Sequence, residues 1–295
     1  MSAPSKKIAL ITGCSAGGVG AAFASVFAAN PNYHVYATAR NTSKIPQSLH
    51  ETSSVTVLAL DVTSSESIAA AIEAVRAKTG ERMDVLINNA GAGWNAPALD
   101  ADIQEARRVF DANFFGPLEV VKAFGPMLVN AHGCCVNNCS VGGVAGFPFG
   151  SIYSASKAAL INAGEVWRHE LAPLNVRVLT LVTGGIATKF LENLQPVDLP
   201  EGSYYAGIKD IIEKQEENIS FAQEPEIFAQ DLLRRVEAGQ RGKKWVAGGA
   251  SLMKWVHWLA PQCVIDRIFT EFKSFQKKLS AQHQQRMAEE SKKVA

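Results

Sequence analysis

What constrains this chain most is an alternation along its length. Short β-rich apolar runs fall at residues 8–12, 33–38, 55–60, 85–87, 133–137, 176–181 and 244–247. Between them lie longer stretches with apolar residues at helical spacing, at 19–30, 64–79, 103–131, 153–172 and 225–237. A helix placed between two strands carries the chain back to the starting end of the sheet, so successive strands run parallel. The runs agree with that arrangement. They are apolar throughout rather than at every second position, as strands covered on both faces must be. The expected architecture is α/β, a doubly wound parallel sheet of about seven strands with helices on both faces.

Two regions break the alternation. Residues of roughly 187–222 are polar, rich in Pro, Gly and Tyr, and interrupt the last strand–helix unit. A long excursion there is a candidate substrate lid. The chain thus divides into a catalytic domain at 1–250 and a C-terminal tail at 251–295, amphipathic and then charged. The first half of the tail carries Trp255, Trp258, Leu259, Val264, Ile265, Ile268 and Phe269. It suits a membrane interface, with Lys254, Arg267 and Lys273 at the headgroups, or packing on its own domain or on a partner subunit. The Lys-, Gln- and Glu-rich second half is expected to be solvated.

Composition excludes several classes. With 29 basic and 28 acidic residues the net charge is +1, so no field draws in nucleic acid. The five cysteines are scattered, odd in number and outside any C-x-x-C pair. They argue against a disulfide framework or a zinc site, and for a reducing, cytoplasmic compartment. No apolar run reaches the ~20 residues that span a bilayer. The start is short and polar and leads directly into strand-like sequence, which argues against a cleavable signal peptide.

The first strand ends in a glycine-rich turn, I-A-L-I-T-G-C-S-A-G-G-V-G from Ile8 to Gly20, and a helix opens near Val19. Glycines let the backbone turn tightly and approach a pyrophosphate, and the helix N-terminus offers it unpaired N–H groups. Gly13, Ser15, Gly18 and Val19 are therefore candidate contacts for a dinucleotide, in a Rossmann-type sheet. An acid at the tip of the second strand would select NAD. Arg40 stands there instead, which suits the 2′-phosphate of NADP(H). Asp61-Val62, after the third strand, are candidates for the adenine, although Asp61 could equally cap the next helix.

Tyr153 and Lys157 stand four apart, on one face of a helix. An ammonium beside a phenol favours the phenolate, so such a tyrosine can serve as general acid or base. Ser140 follows the fifth strand, at the end of the sheet where ligands bind, and can hold a substrate oxygen. Asn88-Asn89-Ala90-Gly91 follow the fourth strand at the same rim. Asn113 lies within the long helical stretch and could relay protons through water. Lys122, in the same stretch, is a further candidate cofactor neighbour. Loops at the rim bring Trp94, Phe147, Phe149, Phe190 and Tyr204 or Tyr205 as candidate substrate contacts, an aromatic wall suited to an apolar ketone.

These pieces occur in one order: the T-G loop at Thr12, Asp61-Val62, N-N-A-G at Asn88, N-F-F-G at Asn113, Ser140, and Y-S-A-S-K at Tyr153. In this the chain resembles the short-chain dehydrogenase/reductase family over about residues 6–250. The resemblance implies a catalytic tetrad of Asn113, Ser140, Tyr153 and Lys157. It implies contact of Lys157 with the nicotinamide ribose, and a cofactor lined by Asn89, Ala90, Gly91 and Ile186, with Thr188 near the carboxamide. It also implies dimers or tetramers through 103–131 and 153–172. Two departures stand out. The glycine loop is one residue longer than the common form, and Thr183-Gly184-Gly185 replaces the usual Pro-Gly after the sixth strand.

The runs at Gly146–Ala159, Asn175–Val178 and Thr183–Thr188 are similar to those of the fungal NADPH-dependent 1-acyldihydroxyacetone-phosphate reductases. That likeness implies an NADPH-dependent reduction of a lipid-like ketone, with Tyr153 as acid, and peripheral attachment to endoplasmic reticulum or lipid droplets. The same subgroup holds reductases of biosynthetic pathways, which act on polyketide, terpenoid or steroid ketones. An NADP(H)-binding sensor without turnover is the reading that the intact tetrad speaks against.

Overall fold

In the computed structural model, residues 6–190, 192–194, 196–214, 221–261, 263–264 and 273–294 are described. The strands are β1 (Lys7–Ile11), β2 (Tyr33–Ala39), β3 (Val55–Ala59), β4 (Val85–Asn88), β5 (Cys134–Asn138), β6 (Arg177–Thr183) and β7 (Gly242–Val246). They form one seven-stranded sheet in the order β3-β2-β1-β4-β5-β6-β7. Every neighbouring pair is parallel, with Leu10 level with Tyr36 and Leu86, and Asn88 level with Asn137. The fold is thus the expected Rossmann-type doubly wound sheet. The order reverses between β1 and β4, and the crevice that opens there is where such sheets bind ligands.

Alternation along the strands sorts the core into two layers. Ala9 and Ile11 of β1 face one layer, with Phe23 and Phe27 of α1 (Val19–Ala29). Phe228 and Leu232 complete it from a helix late in the chain, and the Phe23 and Phe228 rings stand 5.2 Å apart. Leu10 faces the other layer, with Val120 and Phe124, Leu160 and Trp167 from two long helices. After α1 the helices are, in chain order, α2 (Gln47–His50), α3 (Ser65–Thr79), α4 (Ile103–Phe110), α5 (Gly116–Ala131), α6 (Ser151–Glu170), α7 (Lys209–Lys214), α8 (Pro225–Glu237), α9 (Ala250–Leu259) and α10 (Lys273–Val294).

The single helix expected at 103–131 is interrupted. Asp102 caps α4, its carboxylate accepting from the Gln104 and Glu105 amides at 2.8 and 2.9 Å. Residues Asp111–Phe115 then form a π turn before α5 continues. A π turn takes in one extra residue and swells the helix locally. Here it carries Asn113, fully buried, toward the sheet rim.

The excursion after β6 has a closed base, with an isolated bridge between Ile186 and Gln223 and another between Gly185 and Gly248. It holds a third, small core around Val197, Ile208 and Ile212. The tail splits in two. α9 leaves Leu252, Trp255, Trp258 and Leu259 more than half exposed, with the two tryptophan rings 5.9 Å apart. Ile265, Arg267, Ile268, Phe269 and the Lys273 side chain lie outside the described residues. The polar second half is mostly exposed among its described side chains, as expected, but it is not free of the domain. It forms α10, which lays Phe275 and Leu279 into the third core. No described helix is long and apolar enough to cross a membrane.

Candidate active site

The glycine loop is shaped by contacts that side chains would destroy. Gly13 has φ +76°, and a Cβ there would come within 2.8 Å of the Ala90 Cα. One at Gly20 would press to 2.6 Å of the Asn89 amide nitrogen. The loop is tied to its neighbours through backbone. Cys14 N–H donates to the Thr38 carbonyl at 2.8 Å, and Ala16 N–H to the Lys44 carbonyl at 2.8 Å. Ser15 is half-buried and its carbonyl accepts from Gly18 N–H at 3.1 Å. Gly18 begins α1 without a side-chain cap, and no acid stands in the first turn beside Val19. The free N–H groups and the helix dipole are left for an anion. Arg40 is exposed directly after β2, on the same side as the loop. The pyrophosphate of a nicotinamide dinucleotide fits this cradle.

Thr12 fastens the second wall. Its hydroxyl accepts from the Asn89 and Ala90 amides, both at 2.9 Å. The Asn89 side chain is consumed by protein contacts, donating to the Thr12 carbonyl at 2.9 Å and accepting from Asn138 at 2.9 Å. Asn138 in turn accepts from the Thr183 hydroxyl at 2.7 Å, so one polar chain links the ends of β1, β4, β5 and β6. Asp61 folds one carboxylate oxygen onto the Thr63 amide and hydroxyl at 2.9 and 2.8 Å, while Ser64 caps α3. Val62 is buried under Gly116, where a Cβ would come within 2.9 Å of it.

Four polar side chains converge above this wall. A Cβ at Gly91 would stand 2.8 Å from Asn113 Oδ1 and 3.4 Å from Lys157 Nζ. A Cβ at Gly142 would stand 3.3 Å from Ser140 Oγ and 3.5 Å from Tyr153 Cε1. Lys157 is buried, donates to the Asn138 carbonyl at 3.3 Å and lies 5.9 Å from the centre of the Tyr153 ring. The Ser140 hydroxyl accepts from Gly142 N–H at 3.0 Å. Asn113 exchanges two hydrogen bonds of 2.8 Å with the Ala92 backbone. Cys139, next to Ser140, is no nucleophile: burial pushes its thiol up to about 12, although the Lys157 charge pulls it down.

The lid lies across this site. Lys189 N–H donates to the Gly17 carbonyl at 3.0 Å, and its side-chain stem fills the space that Gly17 leaves. Thr188 turns its hydroxyl toward the Phe190 amide at 3.4 Å, and Ile186 packs into the core below. The Phe190 ring is 5.9 Å from that of Tyr153, and it covers Gly93. Trp94 is half-buried in the adjoining loop, and Phe147 is exposed in the loop after β5.

Of the expected site residues, Lys122, Phe149 and Tyr205 are placed elsewhere. Lys122 is exposed in a groove of about 390 Å³ between α5 and α6, lined also by Gly125, Trp167, Leu174 and Val176. Val176 precedes β6, so the groove runs to the end of the sheet opposite the glycine loop; the helical turn of α5 carries Lys122 away from the cofactor side. Phe149 packs into the third core with Tyr205 and Phe275 rather than standing free at the rim. Residue spacing missed Thr12, Asn138, Ser156 and Lys44. Thr12 and Ser156 act through short hydroxyls inside longer motifs, Asn138 through its amide and its carbonyl, and Lys44 through a carbonyl, which no side-chain pattern announces.

The family described as short chain dehydrogenase matches residues 7–198. The short-chain dehydrogenase cctT of Talaromyces islandicus is 37% identical over 254 residues, which cover 85% of this chain and 89% of that protein. The NADPH-dependent 1-acyldihydroxyacetone phosphate reductase of Schizosaccharomyces pombe is 38% identical over 211 residues, 70% of each chain. A solved short chain dehydrogenase from Burkholderia cenocepacia, in complex with NADP, superposes with a TM-score of 0.71 at 25% identity, covering 89% of this chain and 97% of that one.

Proposed function

The chain belongs to the short-chain dehydrogenase/reductase family, whose enzymes use a nicotinamide coenzyme on small molecules, and from that premise we propose an NADPH-dependent carbonyl reductase that turns a ketone into a secondary alcohol. The observation that carries the reading is the convergence of Ser140 and Tyr153 on the space at Gly142, with Asn113 and Lys157 meeting at Gly91 behind them. A bound coenzyme supplies the hydride that the carbonyl carbon takes up. Tyr153 gives its phenolic proton to the carbonyl oxygen as the general acid. Ser140 donates a hydrogen bond to the same oxygen and holds it in place. The Lys157 ammonium stabilises the charge left on the phenol oxygen, and solvent returns the proton by way of Asn113 and the Lys157 side of the site. Arg40 at the end of β2 supports NADPH over NADH, and the uncapped start of α1 suits the pyrophosphate that both coenzymes share.

The substrate readings divide on charge. The fission-yeast relative favours a phosphate-bearing lipid ketone, 1-acyldihydroxyacetone phosphate. The use of the lid's described cations, Lys189 and Lys209, favours an uncharged apolar ketone of polyketide, terpenoid or steroid type. Lys209 pairs with Glu213 at 3.8 Å, and Lys189 lies on the glycine loop rather than over Tyr153. What faces Tyr153 is the Phe190 ring. We favour the uncharged ketone on that account. The test is NADPH oxidation against acyl-dihydroxyacetone phosphate, steroid ketones and aromatic polyketide ketones, with NADH in parallel. Selective turnover of the uncharged ketones is expected; selective turnover of the phosphate lipid would reverse the choice.

A further inference from the structure

The third core is built from two parts of the chain that are distant in sequence. Val197, Ile208 and Ile212 of the lid are buried together with Phe149 and with Phe275 and Leu279 of α10. The Phe275 ring meets Phe149 at 5.1 Å, edge to face, and Tyr205 of the lid meets Phe149 at 6.2 Å. Polar groups extend the contact along α10. Lys278 Nζ donates to Asp210 at 3.1 Å, and Arg286 donates to the Gly202 carbonyl at 3.0 Å while its guanidinium sits 4.5 Å above the Tyr204 ring. The approach is close: a Cβ at Gly207 would come within 2.5 Å of Gln282 Oε1.

Phe149 is the pivot. It holds a left-handed backbone, φ +64°, which a phenylalanine keeps only where its surroundings impose it. Its carbonyl accepts from Ala96 N–H at 2.8 Å, and α6, which carries Tyr153 and Lys157, begins two residues later. One ring of α10 therefore bears on the lid and on the turn that launches the catalytic helix. The lid in its turn puts Phe190 beside Tyr153.

We propose that Phe275 is a positioning residue for the substrate lid, holding lid and Phe149 turn together so that an apolar wall stands over Tyr153 before the ketone enters. The identity of the site rests on the reductase reading; the claim about the lid does not. On this account α10 is part of the substrate enclosure, and an apolar ketone gains its binding from a wall that is already ordered.

Two measurements on the full chain and on Phe275→Ala test this: amide hydrogen exchange across residues 197–212, and kinetics with 2-decanone at saturating NADPH. Exchange in that segment should rise about tenfold while β1, β4 and β5 stay unchanged. KM for 2-decanone should rise about tenfold, with kcat changed less than about threefold and KM for NADPH unchanged. Phe275→Leu, which keeps an apolar side chain, should recover most of both effects. Unchanged exchange in Phe275→Ala would overturn the proposal, and so would an equal rise throughout the sheet, which would make α10 a stabiliser of the whole fold. Raised exchange with an unchanged KM would overturn the link to substrate. If the full chain turns over no ketone, the reductase reading fails and the exchange rates alone support or overturn the role of Phe275.

Discussion

The Asn113 amide donates to the Ser156 hydroxyl at 3.0 Å, and that hydroxyl donates onward to the Tyr153 carbonyl at 2.7 Å. The π turn is thereby fastened to the first turns of α6, and the site's amide and its phenol move as one piece. Ser156→Ala removes one acceptor from a buried N–H group that keeps the Ala92 carbonyl. The expected cost is about 1–2 kcal/mol in urea denaturation. Turnover should fall about tenfold, because the four converging side chains remain but lose their common anchor. Wild-type stability in this variant would mean that the tie is not made in solution.

Gly91 separates Asn113 from Lys157, and a methyl group there would press on Asn113 and come into contact with Lys157. Gly91→Ala should lower kcat by about a hundredfold, the scale of displacing a positioned catalytic group by an ångström. Gly146→Ala is the control. Nothing lies within 4 Å of a Cβ at that position, so activity and melting temperature should stay as they are. Equal kinetics in the two variants would remove the evidence that Asn113 and Lys157 share a site.

Tyr153 stands half-buried under Phe190, and its hydroxyl is the only part that Tyr153→Phe removes. The ring contact with the lid survives, so coenzyme affinity by fluorescence titration should be unchanged. Turnover should drop by about 10²–10⁴, the usual contribution of a positioned general acid. Full activity in the variant would sink the proton-transfer role.

Arg40 is exposed after β2, and Lys44 follows where its carbonyl holds Ala16 of the glycine loop. Arg40→Ala should cost about 1.5–3 kcal/mol of NADPH binding, the worth of a charge-assisted hydrogen bond, which is about a 10–100-fold loss in kcat/KM. NADH, which lacks the 2′-phosphate, should be used as before. A parallel loss with both coenzymes would move Arg40 from recognition to structure.

The parts of the fold and site that the sequence revealed are those in which pattern and position coincide. The inner strands, buried on both faces, are apolar in long runs and stand out in the sequence, and Tyr153 and Lys157 share a helix face by spacing alone. The π turn at Asp111–Phe115 was invisible because an extra residue in a helix changes no composition. β7 begins at Gly242, earlier than its apolar residues, because Lys243 and Lys244 lie in an edge strand that tolerates charge. α10 looked solvated since only Phe275 and Leu279, one turn apart, mark its buried stripe among lysines and glutamines. Roles that run through carbonyls, such as that of Asn138 toward Lys157, leave no trace in residue type.

The thiols offer a test of whether the rim is closed in solution. Cys14, Cys134, Cys135 and Cys139 are buried, and Cys263 is exposed. Burial pushes the thiols of Cys14 and Cys139 up to about 12 and that of Cys134 to about 11, and moves Cys135 in the same direction. The thiolate is the reactive form, and a group with its pKa near 12 is about one part in 10⁴ ionised at pH 8. Iodoacetamide at pH 8 should therefore add once to the native protein, at Cys263, and five times after denaturation, as intact-mass spectrometry would show. Raising the pH to 9 should leave the buried four silent, since burial both raises their ionisation above that pH and keeps the reagent out. Native labelling at Cys139 would be the informative failure. That residue adjoins Ser140 beside Lys157, so its modification would mean that the lid and rim open far enough for a small electrophile to reach the floor of the site.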